Sequence, residues 1–239
     1  MPKKIKALLL SAGLGTRLRP LTFEVPKCLV EVDNKPILEH WLHALEQVGC
    51  YETIINTHYL HKKVSSYLKR RVNKKMKIKQ IYEEKLLGTA GTLIKNKEFF
   101  DDSRIIMIHA DNMTKFNLLE LLEADEQKPK NCLMTMLTFT TDSPKSCGVV
   151  ERDSNMIVKN FFEKVENPPS NIANGAIYIF ESTLLEKLSA TSYKLFDFSK
   201  DVIPLFLGRI FSHHTEEVFI DIGTHKNLAK ARFIFKTKI

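Results

Sequence analysis

The chain has 239 residues, 44% of them hydrophobic and 27% charged, enough to bury a substantial core in one α/β unit, or in one unit with a small lobe. Lys and Arg number 36 against 28 Asp and Glu, and the formal net charge of +8 suits phosphate-bearing partners, small or polymeric, without choosing between them. Nine Gly and nine Pro are too few for a disordered or fibrous chain, and no apolar run approaches the roughly 20 residues a membrane helix needs, which excludes a helical membrane protein.

The basic start Met1-Pro2-Lys3-Lys4-Ile5-Lys6 leads into a short apolar stretch, 7–10, and then a Gly/Arg loop. That stretch is too short for the core of a signal peptide, so a cytoplasmic protein is expected. Residues 5–10 stop at Gly13-Leu14-Gly15, the pattern of a buried parallel strand feeding a tight loop. Pro36 opens an amphipathic helix with Ile37, Leu38, Trp41, Leu42 and Leu45 on one face, and Gly49 closes it. Residues 53–57 read as a strand, 58–71 as a basic helix and 78–82 as a strand. A helix from Gly88, a strand 104–109, a helix 118–126 and a strand 132–139 continue the alternation. It predicts a three-layer α/β/α, Rossmann-like fold with a mixed, mostly parallel sheet covered on both faces. From about Thr140 the rhythm changes to short segments (148–150, 158–163, 176–180) broken by Asn167-Pro168-Pro169-Ser170, followed by two or three helices and a last helix at 226–235. No repeat or linker divides the chain, so a single domain over 1–239 is predicted, with 140–239 completing the sheet begun by 1–139. Cys28, Cys50, Cys132 and Cys147 lack metal-ligand spacing and read as reduced packing residues.

The chemistry concentrates in Leu10-Ser11-Ala12-Gly13-Leu14-Gly15-Thr16-Arg17-Leu18-Arg19-Pro20-Leu21-Thr22, followed by Pro26-Lys27-Cys28. Glycines after a strand let backbone N–H groups approach an anion, and Arg17, Arg19 and Lys27 add positive charge, so the segment reads as a phosphate cradle. It matches neither the Walker pattern nor the dinucleotide GxGxxG. Asp111 and Asp221 each follow a β-like apolar run, so both are expected at the carboxyl edge of one sheet, where open α/β sheets bind ligands. Two such carboxylates could hold Mg²⁺ against a phosphate.

These residues resemble the nucleotidylyltransferases that make nucleotide sugars, whose signature GxGTRLxPLT followed by Pro-Lys stands here at 13–22 and 26–27. Leu87-Gly88-Thr89-Ala90-Gly91-Thr92 looks like the family's base-proximal loop, Asp111-Asn112 and Asp221-Ile222-Gly223-Thr224 like its metal aspartates, and Glu163-Lys164 and Asn174-Gly175 like its sugar-phosphate elements. The resemblance implies the nucleotide-diphospho-sugar transferase type of fold, a nucleotide-binding part at 1–139 and an acceptor-binding part at 140–239. It also implies that Leu10, Ala12, Gly13, Gly15, Thr16, Arg17, Lys27, Glu83, Gly88 and Thr89 bind nucleotide. Arg17 would neutralise the leaving pyrophosphate and Lys27 the α-phosphate. Lys164 would hold the acceptor's phosphate, with Glu163 and Asn174 on the rest of it. Asp111 and Asp221 would bind Mg²⁺ as cofactor.

The implied reaction joins the nucleotidyl group of an NTP to a phosphorylated small molecule, most readily a sugar 1-phosphate, and releases pyrophosphate. Relatives that use thymidine or uridine triphosphate place a glutamine five positions before the loop glycine, where this chain has Glu83. A carboxylate only accepts hydrogen bonds, which favours the donor-rich edges of guanine or cytosine and hence GTP or CTP. The Leu-Gly-Thr-Ala-Gly loop looks like that of guanylyltransferases, with a mannose- or heptose-like acceptor. Alternatives are a cytidylyltransferase acting on a non-sugar phosphate such as phosphocholine, and a non-catalytic nucleotide-sensing subunit. The pattern is departed from at Ser11-Ala12, Cys28, Asn112 and His225. The chain ends at Ile239 without β-helix repeats, so neither an appended acyltransferase nor a β-helix trimer is expected. The expected state is a monomer or homodimer. Lys62, Lys63, Lys69, Arg70, Arg71, Lys74, Lys75, Lys77 and Lys79 read as a solvated basic face rather than a nucleic-acid site, and His213-His214 lacks a third ligand nearby. No nucleic-acid or membrane partner is expected.

Overall fold

The computed structural model describes residues 3–72, 75–191 and 194–237. Met1, Pro2, Lys74 and Ile239, used above in reading the termini and the basic stretch, lie outside the described residues. In chain order, β1 (Lys4–Leu10) leads through the glycine loop to a short helix α1 (Leu21–Glu24) and a hairpin of β2 (Glu31–Val32) and β3 (Lys35–Pro36). Helix α2 (Ile37–Gln47), β4 (Glu52–Thr57), α3 (His61–Arg70), β5 (Lys77–Tyr82), α4 (Gly88–Lys95) and β6 (Ser103–His109) follow. Next come β7 (Asn112–Thr114), α5 (Leu118–Gln127), β8 (Met134–Thr140), β9 (Gly148–Arg152), β10 (Val158–Glu163) and β11 (Ile172–Glu181). The chain closes with α6 (Thr183–Ser189), β12 (Ile210–Thr215), β13 (Phe219–Asp221) and α7 (His225–Ile234). Among the described residues no helix is long and apolar enough to cross a membrane.

The described residues fall into two compact units, each discontinuous in sequence. One comprises Met1–Lys6, Leu87–Met107 and Asn117–Glu217; the other comprises Ala7–Leu86, Ile108–Phe116 and Val218–Ile239. Strands β1 and β6 contribute residues to both. In the first unit the strand order is β10-β9-β11-β6, with β8 against β11 and β12 parallel to β8. Strands β8, β11, β9 and β10 are antiparallel neighbours, which is what the change of rhythm near Thr140 signals. In the second unit the order is β1-β4-β5, with β4 and β5 parallel.

Burial explains the elements. Leu8 and Leu9 of β1 and Ile105, Ile106, Met107 and Ile108 of β6 are fully buried, the near-continuous apolar run of a strand covered on both faces. The α2 stripe is buried as its spacing predicts, with Ile37, Leu38, Leu42 and Leu45 fully covered. The β2–β3 hairpin turns on Asp33 and Asn34, both at positive φ (52° and 59°), a conformation Asp and Asn tolerate.

Three expectations need correction. Arg71 does not belong to a solvated basic face, because it is 7% exposed and its guanidinium binds Glu39 and Glu46 of α2. Strand β11 is ten residues long rather than a short segment at 176–180, because Asn174 is absorbed by a bulge between Asn174 and Tyr178 instead of ending in a turn. Asp221 is not at the edge of a large sheet but ends β13, which pairs antiparallel with β7 in a separate two-stranded ladder where Asp221 faces Asn112. Strands of three residues carry too little periodicity to announce themselves.

Candidate active site

In the unit that includes 7–86, the loop after β1 is pinned at both ends and exposed between. Leu10 O accepts the Ala110 amide at 3.1 Å, and the Ser11 amide donates to Asn56 Oδ1 at 2.8 Å. Ala12 is buried, whereas Gly13, Thr16 and Arg17 are exposed. Gly15 adopts φ +63°, and its carbonyl accepts the Thr22 hydroxyl at 2.7 Å. A Cβ there would lie 2.9 Å from Thr22 Cγ2 and 3.4 Å from Lys27 Cβ, so glycine alone lets the loop fold down over Thr22.

Pro26 leads Lys27 into a short 3₁₀ turn that buries the side chain, and its ammonium meets two carboxylates, Asp111 Oδ2 at 2.7 Å and Asp221 Oδ1 at 3.1 Å. Asp111 is delivered by the turn between β6 and β7, and Asp221 by the end of β13. The Ile222 amide donates to Asp111 O at 3.1 Å, which ties the two aspartate segments at the backbone. Arg17 Nη2 lies 3.5 Å from Asp221 Oδ2 and is 64% exposed. Gly223 makes room for it, since a Cβ there would be 2.5 Å from Arg17 Nη2. Asp221 Oδ1 also accepts the Gly223 amide at 2.8 Å.

The electrostatics follow from this crossing. Burial opposes ionisation of Asp111, but the Lys27 ammonium, with His109 nearby, outweighs it and holds the carboxyl below its ordinary value. Burial likewise opposes charge on Lys27, and the two aspartates overcome it and raise its pKa. Cys28, next to it, is an inert packing residue whose thiol burial pushes up to about 12.

The donor set fits a hard divalent cation. Two anionic oxygens converge on one point of positive charge, now met by the ammonium, and both carboxylates stay partly exposed, at 38% and 47%. Carboxylates supplemented by substrate phosphate oxygens and water are the ligands Mg²⁺ prefers.

Glu83 is held inside the fold. It is 4% exposed, directly after β5, and Oε1 accepts Asn56 Nδ2 at 3.0 Å. Gly223 and His225 of the second aspartate motif, the latter with Nε2 2.8 Å from Arg19 O, help shape this region, as does Asn56, which no motif singled out. The available signal for Asn56 was a polar residue at the end of the apolar run Ile54-Ile55.

In the other unit the motif residues are largely engaged with the fold. Gly88, at φ +76°, starts α4 against the Phe196 carbonyl, which also accepts the Ala90 amide at 3.0 Å. Thr89 Oγ1 accepts the Phe198 amide at 2.6 Å. Glu163 ends β10, and Gly148 opposite leaves room for its carboxylate, since a Cβ there would be 2.5 Å from Glu163 Oε2. Lys164 follows β10 at positive φ (52°), its side chain exposed with Nζ 3.4 Å from Glu163 Oε1. Asn174 stabilises the β11 bulge, its Oδ1 accepting the Ala176 amide at 2.9 Å and its Nδ2 donating to the fully buried Tyr178 hydroxyl at 2.6 Å.

Comparison with known proteins agrees with the motifs. The catalytic subunit beta of mannose-1-phosphate guanylyltransferase from Drosophila melanogaster is 32% identical over 240 residues, covering 98% of this chain and 63% of the relative. The chain thus spans about 63% of the length of such relatives. A solved chain from Bacillus anthracis superposes with a TM-score of 0.88 at 22% identity, covering 98% of this chain and 96% of that one, which shows the shared α/β fold with its mixed sheet and helices. HddC from Yersinia pseudotuberculosis superposes with a TM-score of 0.79 at 26% identity, covering 97% and 99%. The nucleotidyl transferase family model matches residues 6–236, and the chain belongs to that family.

Proposed function

We propose that this chain acts in the cytoplasm as an enzyme that transfers a nucleotidyl group from an NTP to a sugar 1-phosphate and releases pyrophosphate. GTP is the favoured donor, CTP the second, and a mannose-class sugar 1-phosphate the favoured acceptor. The observation that carries the reading is the Lys27 ammonium between Asp111 and Asp221, with Arg17 beside it and the exposed glycine loop before it. Support for GTP and mannose comes from the similarity to a mannose-1-phosphate guanylyltransferase subunit.

The nucleophile, a phosphate oxygen, is already anionic, so the protein has no proton to abstract and acts by positioning and charge neutralisation. The Gly13–Thr16 backbone receives the triphosphate. Arg17, exposed at the loop, neutralises the departing pyrophosphate, and Lys27 faces the α-phosphate where attack occurs. Asp111 and Asp221 would hold Mg²⁺, which supplies electrophilic activation and charge compensation at the phosphates when bound. Lys164, Glu163 and Asn174 are assigned to the acceptor, and Gly88 and Thr89 to the nucleoside, on their motifs.

The test is pyrophosphate release with Mg²⁺, crossing GTP, CTP, UTP, dTTP and ATP against sugar 1-phosphates and non-sugar phosphates. Release is expected with GTP and mannose 1-phosphate. Silence throughout, with nucleotide binding intact by calorimetry, would overturn the catalytic reading in favour of nucleotide sensing.

A further inference from the structure

One hydrogen-bonded relay crosses the carboxyl ends of β1, β4 and β5, which are neighbours in that order. The Ser11 amide, first beyond β1, donates to Asn56 Oδ1 at 2.8 Å, and Asn56 Nδ2 donates to Glu83 Oε1 at 3.0 Å. Asn56 and Glu83 are each 4% exposed. Glu83 is itself fixed by the backbone, its amide donating to Thr57 O at 2.8 Å and its carbonyl facing His58 Nδ1 at 2.7 Å. A backbone N–H only donates and an ionised carboxylate only accepts, so a side chain spanning them needs an acceptor at one end and a donor at the other. Asn offers both, and the carboxylate on its NH₂ selects one orientation of the amide.

We propose that Asn56 and Glu83 are positioning residues for the triphosphate. They commit the Ser11 amide to the protein and thereby set the path of the exposed Gly13–Thr16 backbone that meets the anion. Glu83 acts through Asn56 rather than on the base. The inference rests on the phosphate-cradle reading above and names the residues that hold the cradle in place.

Two consequences separate this role from base reading. A residue that reads the base changes the ratio of affinities among nucleotides, whereas a residue that holds the cradle changes affinity for all of them, and for a polyphosphate with no base at all. Donor and acceptor can also be exchanged: Asn56→Asp alone sets two carboxylates against each other, while adding Glu83→Gln lets the introduced amide donate to the introduced carboxylate, which still accepts from Ser11.

The experiment is calorimetric titration of the full chain with inorganic tripolyphosphate, GTP and CTP, with thermal melts confirming that each variant is folded. Asn56→Asp is expected to weaken tripolyphosphate, GTP and CTP alike by about tenfold, the cost of a disrupted buried hydrogen-bonded link. Glu83→Gln, which keeps an acceptor for Asn56, should stay within about threefold, and the double variant should recover most of the loss. Should Asn56→Asp fail to fold, Glu83→Leu removes the acceptor and must weaken all three ligands together. Unchanged tripolyphosphate binding in a folded Asn56→Asp or Glu83→Leu variant would overturn the proposal. So would a Glu83 variant that shifts the GTP to CTP ratio without touching tripolyphosphate. A wild-type protein that binds nucleotide but no tripolyphosphate would overturn the cradle reading itself, and this proposal with it.

Discussion

The motif residues of the two units are used in opposite ways. In the unit that includes 7–86, Lys27, Asp111, Asp221 and Arg17 are bound chiefly to one another, and Arg17 and both carboxylates keep substantial exposure, so a ligand can exchange with those contacts. In the unit that includes 117–217, Thr89 receives the Phe198 amide and Asn174 receives the Ala176 amide while holding the Tyr178 hydroxyl. The difference lies in what each polar atom does before any ligand arrives. A cluster of opposed charges at a surface is costly to leave unmatched and easy to re-pair with phosphate and cation, whereas an amide that satisfies a bulge is part of the strand.

The largest effect separating the two regions is expected from Asp111→Asn. It removes one of the two carboxylate charges that meet the Lys27 ammonium and should lower pyrophosphate release by about a hundredfold or more while the melt stays cooperative. Normal turnover by this variant at low Mg²⁺ would break the comparison by making the charged cluster dispensable.

Gly88→Ala should act the other way, on folding first. Positive φ and the Phe196 carbonyl against the missing Cβ make the residue hard to replace, and a loss of about 2 kcal/mol or more is expected in denaturant unfolding. Asn174→Ala follows, leaving the Ala176 amide and the Tyr178 hydroxyl without this partner, at about 1–3 kcal/mol. A variant that keeps its melting temperature but loses acceptor affinity would sharpen the picture by returning Asn174 to the ligand.

The smallest expected effect is a pH dependence. Asp111 titrates below its ordinary 3.8 in the folded chain, because Lys27 and His109 outweigh burial. A folded pKa below the unfolded one contributes stability that is present above about 3.8 and lost as the pH falls through the lower folded value. In Lys27→Met the cation is gone and burial beside Asp221 favours the protonated form instead. The gap in Tm between wild type and variant should therefore narrow from about pH 6 to about pH 3, read by thermal melts across that range. A gap that stays constant would show that the ammonium does not act on Asp111.

The fold was legible where hydrophobic periodicity is long. Strands β1, β4, β6 and β8 and helices α2, α5 and α7 lie within one or two residues of where the apolar patterns put them, because each buries a run or a stripe that only one kind of element can hide. The small β7–β13 ladder was not legible, since three residues on each side, about a hundred positions apart, carry no pattern. The convergence of Asp111 and Asp221 was anticipated from their motifs, but the element that produces it was not. Glu83 shows the other limit: a glutamate usually lies in solvent, and nothing in its neighbours discloses that Asn56 waits 27 positions earlier to bind it.

On this reading the charged cluster serves transfer onto a phosphate rather than simple binding or hydrolysis. Phosphorus NMR of GTP, mannose 1-phosphate and Mg²⁺ incubated with the full chain tests it most directly. A new pair of coupled diphosphate resonances from the nucleotide sugar is expected, appearing together with free pyrophosphate in equal amount. Appearance of GDP and inorganic phosphate alone, or an unchanged spectrum from protein that binds GTP, would contradict it.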